Sequence, residues 1–209
     1  MTANVITPVF LLTTAAIAIS PGPDILYVLA KGISSGRRSV LIAAAGFASG
    51  LSVHTTMAVV GLSALLMASA VAFTLIKIAG GAYLLYLGIK AFRSGGLVSL
   101  PASNELLSGR RIFAQAFLMN VLNPKVAIFF LAFLPQFTKR DQGHLSMQLF
   151  VLGIAFALVA LVIFSVVGTF SAAIGLWLRA KPKGLKIFDY LIGSLFICLG
   201  LRLAFSSNR

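Results

Sequence analysis

Six long apolar runs, separated by short polar or basic connections, account for almost the whole chain: 7–31, 40–63, 70–92, 112–137, 147–176 and 185–205. A bilayer core of about 30 Å needs roughly 20 apolar residues per helix, so each run is long enough to cross. The pattern predicts an all-α integral membrane protein of about six transmembrane helices forming a single transmembrane domain over 1–209. The turn between the second and third runs, near 67–70, carries the weakest boundary signal. From Leu41 to Ala91 the apolar sequence is interrupted by His54, Lys77 and Lys90 alone. The spacing Ala16-Ile17-Ala18 imitates a leader-cleavage site. However, "MTANVITPVF" has no basic residues and the apolar run resumes after Pro23, so the first run reads as a membrane helix and not as a leader.

The polar stretch "RSGGLVSLPASNELLSGRR", 93–111, is the longest connection and divides the chain into halves of three runs each, 1–92 and 112–209. Three crossings per half turn the second half over relative to the first, which predicts inverted repeats. The opening run of each half is the one broken by proline: Pro21 and Pro23 in the first, Pro124 in the fourth. Interrupted hydrophobic segments at matching places in two halves point to a transporter's midplane site.

Composition sharpens this picture. Hydrophobic residues make up 59% of the chain and charged residues 10%, against about a quarter charged in a soluble domain. The mean hydropathy is +1.03. The net charge of +13 sits between apolar runs, without an aromatic-interleaved basic surface, and so marks membrane flanks and excludes a nucleic-acid partner. Eleven Lys and Arg residues, among them Lys31, Arg37, Arg38, Lys90, Arg93, Arg110 and Arg111, fall on one side of the six-run arrangement. The positive-inside bias puts that side in the cytoplasm and both termini outside. Cys198 stands alone, so intrachain disulfide and thiol-relay chemistry are excluded. His54 and His144 are far apart and make no H-E-x-x-H-like site, so neither a metal site nor a cofactor is expected.

The breaks supply the chemistry. Pro21 and Pro23 have no amide hydrogen for the carbonyls of Ile17 and Ile19, and Pro124 has none for that of Asn120. In hydrocarbon, freed backbone groups must find protein, water or ligand. Ser20 reads as an N-cap with Pro21 opening a second half-helix, so carbonyls and amides are offered side by side around Gly22. A charge follows each break, Asp24 and Lys125, at membrane depth where it costs about 2.5–3.5 kcal/mol on insertion scales and usually marks a pathway. Each feature has a plainer reading: a packing kink, a first-turn acid complementing the helix dipole, a snorkelling Lys77, and Asn120 and Asn123 as interhelical glue. Gly46, Gly50 and His54 share one helical stripe, the glycines suited to close helix approach and His54 to either packing or proton relay.

With "SPGPD", "KIAGGAYLLYLGIKAFR" and "FLMNVLNPKVAIFFLAFLPQF" in that order, the chain resembles the LysE/RhtB-type family of bacterial amino-acid exporters over essentially its full length. The resemblance implies outward secondary transport of amino acids driven by protons, and no enzymatic activity. It directs attention to Pro21, Gly22, Pro23 and Asp24, to Lys77, Gly81 and Tyr83, and to Asn123, Pro124 and Lys125. The substrate-binding set expected from residues and resemblance together is Ser20, Pro21, Gly22, Pro23, Asp24, Lys77, Tyr83, Asn120, Asn123, Pro124 and Lys125, with Asp24 and His54 as proton carriers. A zwitterion needs an acid or carbonyl locus close to a cationic one, and a single acid at depth suits a neutral amino acid such as homoserine, threonine or leucine. The expected partners are that amino acid, protons and the lipid bilayer, with a homodimer left open. The alternative, a divalent-metal or other small-solute exporter, is disfavoured by the shortage of intramembrane acids, Cys and His.

Overall fold

The computed structural model describes residues 5–20, 22–62, 70–93, 107–139, 143–173 and 182–205, and all regular structure among them is helical. Helix α1, Pro8–Ile19, starts where the Thr7 hydroxyl accepts the Phe10 amide hydrogen and Pro8 takes the first turn. After a short extended link, α2 runs over Pro23–Met57 and ends in a wide π turn, Ala58–Leu62. Then follow α3, Ala70–Arg93; α4, Gly109–Val121, capped by Ser108; and α5, Pro124–Ile128. The α5 run continues through a π turn, Phe129–Phe133, and a 3-10 turn, Leu134–Phe137. Helices α6, Leu145–Thr169, and α7, Pro182–Phe205, complete the chain.

Two expectations are corrected. Between the first two apolar runs the sequence suggests a loop holding the basic residues, but the helix breaks at a single residue, Gly36, at φ 75° and ψ −176°. Only glycine adopts that conformation cheaply, so Ser34-Ser35-Gly36 turns the chain without unwinding it. The second correction concerns Ser20, which ends α1 and does not cap α2. Its hydroxyl turns back to the Ile17 carbonyl at 2.8 Å, while the residue preceding α2 is Gly22, fully extended at φ −175° and ψ 174°. A residue before proline is driven out of the helical region. With Pro21 and Pro23 in alternation, Ser20 and Gly22 are both extended, and no helix starts before Pro23.

Among the described residues, the stretch 23–61 and α6 are each long and apolar enough to cross a membrane. A third crossing is made if α4 and the α5 run, bent by 48° at Leu122–Asn123, count as one broken span. Helix α6 shows how the chain meets lipid. Phe150, Ile154, Leu158, Val162 and Val166 form an exposed row at every fourth residue. The opposite row, Leu152, Phe156, Ala160, Phe164 and Gly168, is buried, with Phe164 and Gly168 against α2 and Phe156 against Phe129 and Phe130. A continuous outward apolar stripe of this kind belongs in hydrocarbon, not in water.

Helix α2 is the centre of the bundle, packed along α4 and α6, with α1 also against α6. The approach to α4 depends on small residues: a Cβ on Gly46 would lie 2.6 Å from the Phe113 carbonyl oxygen, and one on Gly50 would lie 2.8 Å from the Asn120 Cβ. Gly50→Ala is therefore expected to force α4 away and cost about 1–3 kcal/mol, read as a lower melting temperature in detergent. Helices α3 and α7 pair through glycines of their own, with a Cβ on Gly88 falling 2.8 Å from the Gly193 carbonyl oxygen. This pair meets the rest of the molecule through α3 and the Phe129–Phe133 turn.

Candidate functional site

The two proline breaks meet inside the bundle. At the first, the Ile17 carbonyl is left without its helical donor by Pro21. It instead receives the Ser20 hydroxyl at 2.8 Å and the Lys125 ammonium at 3.0 Å. The same ammonium donates to the Ser20 hydroxyl oxygen at 3.0 Å and the Ser20 carbonyl at 3.4 Å. An ammonium has three hydrogens to give, so Lys125, 6% exposed, is satisfied by the broken end of α1. Gly22 leaves room for it, since a Cβ there would be 3.1 Å from the Lys125 Nζ.

At the second break, Asn123 is extended ahead of Pro124 and its side-chain oxygen accepts the Lys125 amide hydrogen at 3.0 Å, which starts α5. The Asn120 carbonyl, robbed of its partner by Pro124, accepts the Asn123 amide at 2.9 Å and the His54 Nε2 hydrogen at 3.0 Å. A carbonyl only accepts, so the imidazole carries a proton on Nε2. His54 Nδ1 is buried and has no partner among the described residues. The His54 ring also lies 5.7 Å from that of Phe130, in the π turn that widens the α5 run. The freed carbonyls of Ile17 and Asn120 are thus each held by a titratable side chain from another part of the chain.

Asp24, in the first turn of α2, is 2% exposed. Its Oδ2 accepts a long hydrogen bond, 3.4 Å, from the Asn120 amide, and its Oδ1 accepts none among the described residues. Asp24, Asn120 and Lys125 line one small cavity together with Ile17, Leu51, Phe156, Ala160 and Phe164. The space holds about one water molecule, so the breaks are closed on each other here. One wall is polar and charged, the other aliphatic and aromatic.

The expected residues therefore divide. Ser20, Gly22, Asp24, Asn120, Asn123, Pro124 and Lys125 come together at the two breaks, with His54 behind Asn120 and Pro23 opening α2. Tyr83 stands elsewhere on α3, its ring 6.0 Å from that of Tyr86. Pro21 and the Lys77 side chain lie outside the described residues. The hydroxyl of Ser20 as a ligand for Lys125, and the apolar lining from α2 and α6, were not among the expectations. Gln148 is a further residue outside the expected set: its side-chain amide ties the Lys139 backbone at 2.8 and 2.7 Å and the Gly143 carbonyl at 3.1 Å to the first turn of α6.

The family model for LysE type translocators matches residues 15–207, which contain both breaks and the cavity. The chain belongs to the LysE type translocator family. It is 34% identical over 195 residues to a homoserine/homoserine lactone efflux protein of Salmonella typhimurium, covering 93% of this chain and 94% of that one. An uncharacterized membrane protein of Vibrio cholerae is 33% identical over the same shares of the two chains. Another, YrhP of Bacillus subtilis, is 31% identical over 92% of this chain and 95% of its own. No solved structure matches significantly. Family and fold together make this a membrane transporter and not an enzyme.

Proposed function

We propose that the protein exports a neutral amino acid, in the class of homoserine, threonine or leucine, across the bacterial inner membrane in exchange for protons. The observation that carries this reading is an ammonium already seated at the first break: Lys125 occupies the Ile17 carbonyl and Ser20, beside a carboxylate oxygen of Asp24 that has no partner among the described residues. Backbone carbonyls with an acid next to them fit a substrate's ammonium. Once that ammonium takes the Ile17 carbonyl, Lys125 is released to meet the substrate's carboxylate. Substrate and Lys125 compete for one cradle, and opening is coupled to binding. The Asn120 side-chain amide donates to the Asp24 carboxylate, and Leu51, Phe156, Ala160 and Phe164 supply an apolar wall for the side chain.

Six crossings in two inverted halves, with Arg37, Arg38, Arg110 and Arg111 in the cytoplasm and both termini outside, complete the reading. Those four arginines are exposed, Arg37 and Arg38 just after the Gly36 break within α2 and Arg110 and Arg111 in the first turn of α4, as the positive-inside bias asks. Moving a neutral zwitterion gives the membrane voltage no charge to act on, so concentrative export needs a coupled ion, worth about 2.3 kcal/mol per 100 mV for each charge moved. Proton entry onto Asp24 removes the charge that holds the substrate's ammonium, with His54 as the second carrier. A divalent cation would meet one carboxylate with the Lys125 ammonium lining the same cavity, a repulsive arrangement for such a cargo.

The test is transport by purified protein in proteoliposomes, with homoserine and homoserine lactone as probes and an imposed pH gradient. Uphill movement of homoserine that collapses with the gradient is the expected outcome. Movement of neither probe nor of a mixture of neutral amino acids would refute the reading.

A further inference from the structure

Lys31 is a second buried cation, and the site described above does not use it. It is 2% exposed, ranks among the largest fully buried side chains, and its Nζ has no hydrogen-bond partner among the described residues. It follows Asp24 by seven residues on α2, two turns along the same helical stripe and roughly 10 Å along the axis. Placed by sequence among the flanking basic residues, it is instead inside, whereas Arg37 and Arg38 just beyond the Gly36 break are exposed.

Its surroundings leave it poorly satisfied. The Nζ lies 5.6 Å from the centroid of the Tyr27 ring. That ring packs edge-on against Phe47 and its hydroxyl donates to Gln115 of α4 at 2.9 Å. A cation over an aromatic face offsets only part of what burying an ammonium costs. On the next residue the backbone is pressed against the segment after α6: a Cβ on Gly32 would collide with Ser171, whose hydroxyl is also buried without a partner among the described residues. Two neighbouring turns therefore hold polar groups with unused hydrogen-bonding capacity, one of them a full positive charge. A carboxylate supplies the acceptor that the Lys31 ammonium lacks among the described residues.

We propose that Lys31 docks the substrate's carboxylate on the cytoplasmic route to the Asp24 cavity. The proposal rests on the reading of the chain as an amino-acid exporter with Arg37 and Arg38 facing the cytoplasm. Lys31 takes the carboxylate first, which aims the ammonium deeper along the stripe, past Tyr27, toward Asp24 and the Ile17 carbonyl. A cation one step outside an acid thus fixes the order in which a zwitterion's two ends arrive.

Homoserine and its lactone separate this role from a structural one, because the lactone keeps the amine and lacks the carboxylate. In vesicles presenting the cytoplasmic face to the probe, Lys31→Met should raise the half-saturation for homoserine relative to the lactone by about ten- to a hundredfold, the loss of one charge-assisted hydrogen bond. Lys31→Arg should retain the wild-type ratio. If Lys31→Met does not accumulate in the membrane, Lys31→Gln gives the same comparison. A variant that shifts both probes alike, or neither, overturns the docking role while leaving the exporter reading intact. Wild-type protein that moves neither probe overturns the exporter reading and this proposal with it.

Discussion

Lys125→Met is expected to abolish concentrative export while the protein still inserts and folds. Insertion should improve, since a charge at membrane depth costs about 2.5–3.5 kcal/mol and methionine removes it. Folding tolerates the change because the Ile17 carbonyl keeps the Ser20 hydroxyl at 2.8 Å after the ammonium is gone. What is lost is the group that ties the two breaks together and that, on the proposed reading, then meets the substrate's carboxylate. Hydrogen bonds to charged groups contribute about 1.5–3 kcal/mol each, so losing even one predicts a fall of about tenfold or more in transport at subsaturating substrate. Lys125→Arg should not rescue, because a planar guanidinium does not fit acceptors arranged around a point charge. The measurement is uptake into proteoliposomes normalised to reconstituted protein. Export at the wild-type rate by Lys125→Met would remove Lys125 from the mechanism.

Asp24→Asn is expected to leave downhill exchange at most and to eliminate the response to pH. The amide keeps the shape of the carboxyl and can still pair with the Asn120 amide through its oxygen, so the break should keep its geometry. It has no exchangeable charge, so a proton gradient has nothing to work on at this position. The experiment compares accumulation by wild type and variant with and without an imposed pH gradient, and separately measures exchange of labelled for unlabelled substrate. Accumulation by Asp24→Asn under the gradient would move the coupling to His54, whose Nδ1 is buried and without a partner among the described residues.

The parts of this architecture legible in the sequence are those that follow from a missing atom. Proline has no amide hydrogen, so the carbonyls of Ile17 and Asn120 can be named as orphans without coordinates, and both are found bonded from outside their own helices. Sequence does not tell which donor arrives. Lys125 and Ile17 are 108 residues apart and meet through packing. The start of α2 was misplaced at Ser20 because a capping residue followed by proline is a local signal, whereas two alternating prolines act jointly to extend Ser20 and Gly22. Sequence groups Lys31 with Arg37 and Arg38 because a lysine at the end of an apolar run counts toward the flanking charge. The Gly36 break falls between the buried Lys31 and the exposed Arg37 and Arg38. The α3 and α7 glycines gave no sign of pairing with each other, since sequence does not show which small-residue stripe faces which.

The grip on Lys125 at the first break comes largely from main-chain oxygen, and that has a consequence for how such a protein diversifies. No single substitution deletes a carbonyl, so mutations can reshape the opposite wall, Leu51, Phe156, Ala160 and Phe164, without touching the atoms that hold an amine. On the proposed reading, selection acting on that wall can change which side chain is accepted while the common α-amino group keeps its seat. Redesign toward a bulkier cargo therefore begins with Phe156 and Phe164, and the prolines that expose the oxygens are the residues to leave alone.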